Sequence, residues 1–99
     1  EVKTYLCKNY RAATLKSTAE YFHFHPDYLS KIIKNHTGES FIGLLQSIRL
    51  KEAAMLLEKT SISVDEIADR VGYSNLSFFY KLFKKKYNIT PVEYRNQKG

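Results

Sequence analysis

Apolar residues recur three and four positions apart along almost the whole chain, the period of amphipathic helices, and the alternation of a half-buried strand is not sustained anywhere. Glu1 to Tyr10 reads as helix. Thr14 is placed to cap a second helix carrying Leu15, Ala19 and Phe22. His25-Pro26 opens a third, because proline suits the first helical position and biases the residue before it toward an extended cap. That helix carries Leu29, Ile32 and Ile33 and stops near Thr37-Gly38. Ser40 starts a long helix running through Phe41, Leu44, Leu45, Ile48, Ala53, Met55, Leu56 and Leu57, with an apolar stripe wide enough to pack on both sides. Ser63-Val64-Asp65-Glu66 reads as a capping box before Ile67, Ala68 and Val71. Gly72 ends that helix, and Ser74 or Asn75 caps the next, through Phe79, Phe83 and Tyr87, with Asn88 as a left-handed stop. Thr90-Pro91-Val92-Glu93 is a second capping box, opening a short helix to about Asn96. The pattern predicts an all-α chain of about seven helices.

The pattern also repeats. Ala19 corresponds to Ala68 and Phe24 to Tyr73, each 49 residues on. Leu29 corresponds to Phe79, Lys31 to Lys81, Ile33 to Phe83 and Lys34 to Lys84, each 50 residues on. Each copy is helix, tight turn, helix. An alanine lets the second helix cross the first closely, and a residue able to take positive φ (His23, Gly72) precedes an aromatic expected to plug the core. Two such units in one chain are the helix-turn-helix pattern twice over. The expected layout is a first helix-turn-helix subdomain over 1–38, a linker helix over 40–59 and a second subdomain over 60–99.

Composition narrows the partners. The 99 residues carry 16 Lys+Arg against 10 Asp+Glu, a net charge of +6. Between Lys81 and Gly99 stand Lys81, Lys84, Lys85, Lys86, Arg95 and Lys98 against Glu93 alone, while Glu52, Glu58, Asp65, Glu66 and Asp69 gather elsewhere. Such polarity suits one face on phosphate and another turned away. A single cysteine excludes an internal disulfide, and no apolar run approaches a membrane span. Cys7, between Leu6 and Tyr10, is expected to be a small buried hydrophobe. His23, His25, His36 and Cys7 do not have zinc-ligand spacing, so no metal or other cofactor is expected. No phosphate-cradling glycine loop or Ser/His/Asp order supports an enzyme. The Tyr and Phe residues at helical spacing read mostly as core. With no signal peptide and Met55 as its sole methionine, the chain reads as a piece of a cytoplasmic protein.

The stretch Ile67-Ala68-Asp69-Arg70-Val71-Gly72-Tyr73-Ser74-Asn75-Leu76-Ser77-Phe78-Phe79-Tyr80-Lys81-Leu82-Phe83-Lys84-Lys85, followed by Thr90-Pro91-Val92-Glu93-Tyr94-Arg95, closely resembles the signature of the AraC/XylS family of bacterial transcription regulators. Gly38 to Ala54, with Arg49-Leu50 and Ala53, resembles the family's linker helix, and the likeness extends from about Leu6 to Arg95. His23 departs from the glycine of the second turn, and Asn88 stands where the family commonly has glycine. The resemblance implies a DNA-binding module with two helix-turn-helix subdomains on one long helix, both recognition helices entering the major groove from one side of the duplex. It also implies attachment, in the whole protein, to an N-terminal sensing, dimerising or receiver domain, and contact with RNA polymerase.

By motif position, bases would be read from the exposed N-terminal parts of helices starting near Pro26 and Asn75. The first offers Pro26, Asp27, Ser30 and Lys31; the second offers Leu76, Ser77, Tyr80 and Lys81. Lys31 and Lys81 can donate to guanine, and Leu76 can touch a thymine methyl. Ser30 and Ser77 discriminate weakly. Asp27 can accept from cytosine or cap its own helix, and Tyr80 can meet the sugar-phosphate chain or pack on the surface. Lys34, Arg49, Lys84 and Lys85 are the candidate backbone contacts, with Arg49 equally able to pair with a neighbouring acid. Free amides near Thr14 and Ser63 add phosphate donors. Two adjacent major grooves, about 34 Å apart, would be read by one chain, expected to be a monomer in isolation. The competing expectation is a helical protein-interaction module with incidental positive charge.

Overall fold

A computed structural model describes residues 1–98. Among them are seven helices and no strand: α1 (Val2–Asn9), α2 (Leu15–Phe22), α3 (Pro26–Thr37), α4 (Phe41–Lys59), α5 (Val64–Arg70), α6 (Leu76–Tyr87) and α7 (Pro91–Lys98). The chain forms two compact units, Glu1–Ile48 and a second beginning at Arg49, so the boundary falls inside α4. Among the described residues no helix is long and apolar enough to cross a membrane.

The helix starts follow local chemistry. Thr14 is extended (φ −128°, ψ 166°), and its Oγ1 accepts from the Ser17 amide at 3.0 Å while the Thr14 amide donates to Ser17 Oγ at 2.9 Å. Ser40 Oγ accepts from the Gly43 amide at the start of α4. Asn75, rather than Ser74, caps α6, its Oδ1 accepting from the Phe78 amide at 3.0 Å. Thr90 and Glu93 complete the reciprocal box at α7, with the Thr90 amide 2.8 Å from Glu93 Oε1. The Thr90 hydrogen bonds hold the Glu93 carboxyl below the usual carboxylate range, helped by the charge of Lys84. The box expected at Ser63 is only half formed. Ser63 Oγ accepts from the Glu66 amide, but the Glu66 carboxylate turns to Arg70 at 2.8 Å. A guanidinium four residues on outcompetes a neutral amide for a carboxylate.

The two turns close in the same way. His23 takes φ 61° and Gly72 φ 107°. In each turn the amide of the next residue reaches back to the alanine carbonyl five positions earlier: Phe24 N–H to Ala19 O and Tyr73 N–H to Ala68 O, both at 2.8 Å. This is the six-to-one bond of a Schellman stop. The first unit then closes over Leu6, Ala13, Ala19, Leu29, Ile33, Phe41, Leu44 and Leu45. The second buries Leu50, Ala53, Leu57, Ile67, Val71, Phe79 and Phe83. Full burial of side chains such as Phe79 and Phe83 contributes about 1.5–3 kcal/mol each.

Several expectations change. Cys7 is exposed, because it is Leu6, one position around α1, that is fully buried. Tyr73 plugs its core at 7% exposure, whereas Phe24 remains 36% exposed and stacks against Phe22. Buried Thr18 has its hydroxyl unpaired among the described residues, at the position where the second copy has Ile67. Arg95 also leaves the basic face that its charge suggested. Its Nε and an Nη donate to the carbonyls of Leu57 and Thr60, 3.1 Å each, capping the end of α4.

Two stability predictions follow from these contacts. His23→Gly removes the cost of a side chain in the left-handed region and is expected to stabilise by about 0.5–1 kcal/mol, raising Tm by about 2–8 °C. An unchanged Tm would mean that the imidazole contributes compensating contacts. Arg95→Ala is expected to cost about 1–3 kcal/mol in urea denaturation. Arg95→Lys should recover less than half of that, since one ammonium cannot reproduce the fork across two carbonyls; full recovery would count against the fork.

Candidate nucleic-acid interface

Helical geometry sorts α3 and α6 into matched faces. Leu29 and Ile33 bury one side of α3, and Phe79 and Phe83 bury the same side of α6. The opposite stripe, at spacings of three and four, holds Asp27, Ser30, Lys31 and Lys34 on α3 and Ser77, Tyr80, Lys81 and Lys84 on α6. Lys31, Lys34, Lys81 and Lys84 are exposed, and Ser30 and Tyr80 are half-buried at the edge of the stripe. Leu76 is exposed at the first position of α6, and Lys85 is exposed one position beyond Lys84. Within each unit, the stripe residues of its recognition helix therefore share one outward face, while Leu76, about 100° before Ser77, stands at the helix start nearer the core side.

The start of α3 is set by His25. Its Nδ1 accepts from the Asp27 amide at 3.2 Å. Asp27 is thus not the cap. Its carboxylate is exposed, 3.9 Å from His25 Nδ1, and faces solvent. Lys34 Nζ donates to Gly38 O at 3.2 Å, closing the C-terminal end of α3 through an exposed bond that water or phosphate can replace.

Arg49 also makes a contact that spacing did not foresee. Its guanidinium lies over the Tyr73 ring, 5.4 Å from the centroid. Burial pushes the Tyr73 phenol above its ordinary value, and the nearby Arg49 charge opposes part of that rise. Arg49 therefore braces the turn aromatic of the second unit. Lys86 lies over the Tyr87 ring at 5.6 Å, off the outward stripe.

Sequence reasoning missed two exposed rings. Tyr28 (55% exposed) and Phe78 (44%) stand 50 residues apart, at the repeat offset, and neither belongs to a core. Each meets the aromatic of its own turn edge-on: Phe24–Tyr28 with centroids 5.3 Å apart and Tyr73–Phe78 6.0 Å apart. The repeat arithmetic held this signal, but a helical period alone assigns such residues to the core. Among the described residues no group of three or more His, Cys, Asp or Glu side chains could hold a metal ion.

A family model described as a helix-turn-helix domain matches residues 18–97. The C-terminal domain of AraT, a response regulator from Geobacillus stearothermophilus, is 41% identical with a TM-score of 0.90, covering 97% of this chain and 81% of that one. A Chromobacterium violaceum transcriptional regulator described as having an AraC-type DNA-binding domain has a TM-score of 0.93 at 26% identity, covering all of this chain and 89% of that one. The xylose operon regulatory protein of Escherichia coli K12 is 40% identical over 68 residues, 69% of this chain and 17% of that protein. The chain spans about a tenth to a third of the length of the curated relatives it matches. With its seven helices and its turn motif formed twice, the chain belongs to the AraC/XylS-type helix-turn-helix family, the DNA-binding domains of transcription regulators.

Proposed function

We propose that this domain is the DNA-reading output module of a bacterial transcription regulator, and that α3 and α6 each enter a major groove of the same duplex. The observation that carries the reading is the repeated outward stripe, in which Lys31 and Lys34 recur as Lys81 and Lys84 on helices whose opposite faces are buried. Asp27, Ser30 and Lys31 read bases in one half-site; Leu76, Ser77, Tyr80 and Lys81 read the other. Lys34, Lys84 and Lys85 hold phosphates, and Arg49 holds Tyr73 in place while remaining near enough to the surface to add a phosphate contact. The working division is 1–38 and 60–99 as reading units with 40–59 as the helix between them. Such a module is a binder, not a catalyst. In the whole protein it would act in the cytoplasm behind an N-terminal sensing or receiver domain and touch RNA polymerase, while the isolated domain is a monomer because it already carries two reading helices.

Selection from a random duplex library at about 150 mM salt, a concentration at which non-specific phosphate binding is weak, tests this directly. Two short motifs about one helical turn apart are the expected outcome; no enrichment by a folded domain would sink the proposal in favour of a protein-interaction module. On the selected duplex, neutralising about 6–9 phosphates gives a log–log salt slope of about −5 to −8. Lys31→Ala and Lys81→Ala should each cost about 1–3 kcal/mol and relax one half-site. Equal losses on selected and random DNA would reassign those lysines to phosphate.

A further inference from the structure

We infer that Tyr28 and Phe78 are the residues with which each recognition helix presses on the sugar-phosphate wall of its groove, Tyr28 donating its phenolic hydrogen to a phosphate and Phe78 laying its ring on deoxyribose. The inference rests on the DNA-reading function proposed above. A helix with side chains is about 10–12 Å across, and the major groove is about 12 Å wide. The flanks of a seated helix therefore meet the walls, not the base edges. Tyr28 follows Asp27, and Phe78 follows Ser77, by one residue, about 100° around the helix. Both stand between the outward stripe and the core face. Both copies place a large exposed ring at that angle.

The rings are also held in position. Phe24 and Tyr73 contact them at interplanar angles of 77° and 68°, and Tyr73 is itself buried and braced by Arg49. A ring fixed before binding loses little rotamer freedom on contact, so its interaction is not offset by ordering. Only the tyrosine carries a donor, so the two half-sites are gripped differently. Neither ring carries charge, so neither releases a counterion. Their contribution is a positioning one, independent of base sequence and of salt.

The test compares wild type, Tyr28→Phe, Phe78→Tyr and the control Tyr21→Phe, which loses an exposed hydroxyl on α2. Each is titrated against the selected duplex and a random duplex over a range of salt, with helical content verified by circular dichroism. Tyr28→Phe is expected to raise Kd by about 10- to 150-fold on both DNAs, the size of a lost hydrogen bond to a charged acceptor, with the salt slope unchanged. Phe78→Tyr, which installs the missing donor, should lower Kd on both by about 3- to 10-fold. Tyr21→Phe should bind like wild type. If wild type shows no salt-dependent DNA binding, the DNA-reading function itself falls, and this inference with it. If wild type binds but Tyr28→Phe does not weaken it, or weakens only the selected sequence, the wall role is overturned while the DNA-reading function stands. A loss of the same size in Tyr21→Phe would overturn it too.

Discussion

The bond from a turn amide back to an alanine carbonyl fixes where everything else in each unit goes. Phe24 to Ala19 and Tyr73 to Ala68 share the same 2.8 Å length, and both need the preceding residue in the left-handed region. Once that bond is made, the chain must leave the first helix at a set angle, with the alanine buried in the core of its unit. A larger side chain at Ala19 or Ala68, both essentially unexposed, would push the helices apart. The outward stripe of α3 or α6 is aimed by this turn, since each helix has its other face committed to the core.

The copies reach the same geometry with different reserves. The second has glycine at the left-handed residue, a buried aromatic after it, an arginine over that ring and an asparagine cap. The first has histidine in the left-handed region, a half-exposed phenylalanine, a buried threonine hydroxyl without a partner among the described residues and a histidine cap. The left-handed histidine and the half-exposed phenylalanine are particular to the first unit, whereas a buried hydroxyl without a geometric hydrogen bond occurs in both, at Thr18 and at Tyr73.

Charge divides in a way that counting does not foresee. Of the basic residues near the C-terminus, Arg95 turns inward to two carbonyls and Lys86 lies over a ring, while Lys81, Lys84 and Lys85 remain outward. Arginine takes the inward task because its planar fork matches two acceptors at once. Lysines remain on the surface, each a hydrated point charge on a flexible stem. The net charge is therefore a poorer guide to the interface than the stripe on which the exposed charges fall.

The sequence by itself determined the seven helices, both left-handed turns and the outward stripes. These depend on caps, on backbone preferences at His23, Gly72 and Asn88, and on spacing along one helix, all local and periodic. It also determined the repeat, because residues 49 and 50 apart kept their character through both copies. Only the tertiary structure decided that Cys7 is exposed, that Phe24 is not buried like Tyr73, that Glu66 prefers Arg70 to its cap, and that Arg49 and Arg95 serve the fold. Each of those outcomes is a competition between partners, most of them brought together only by packing. A sequence lists the competitors, but distance and burial choose among them.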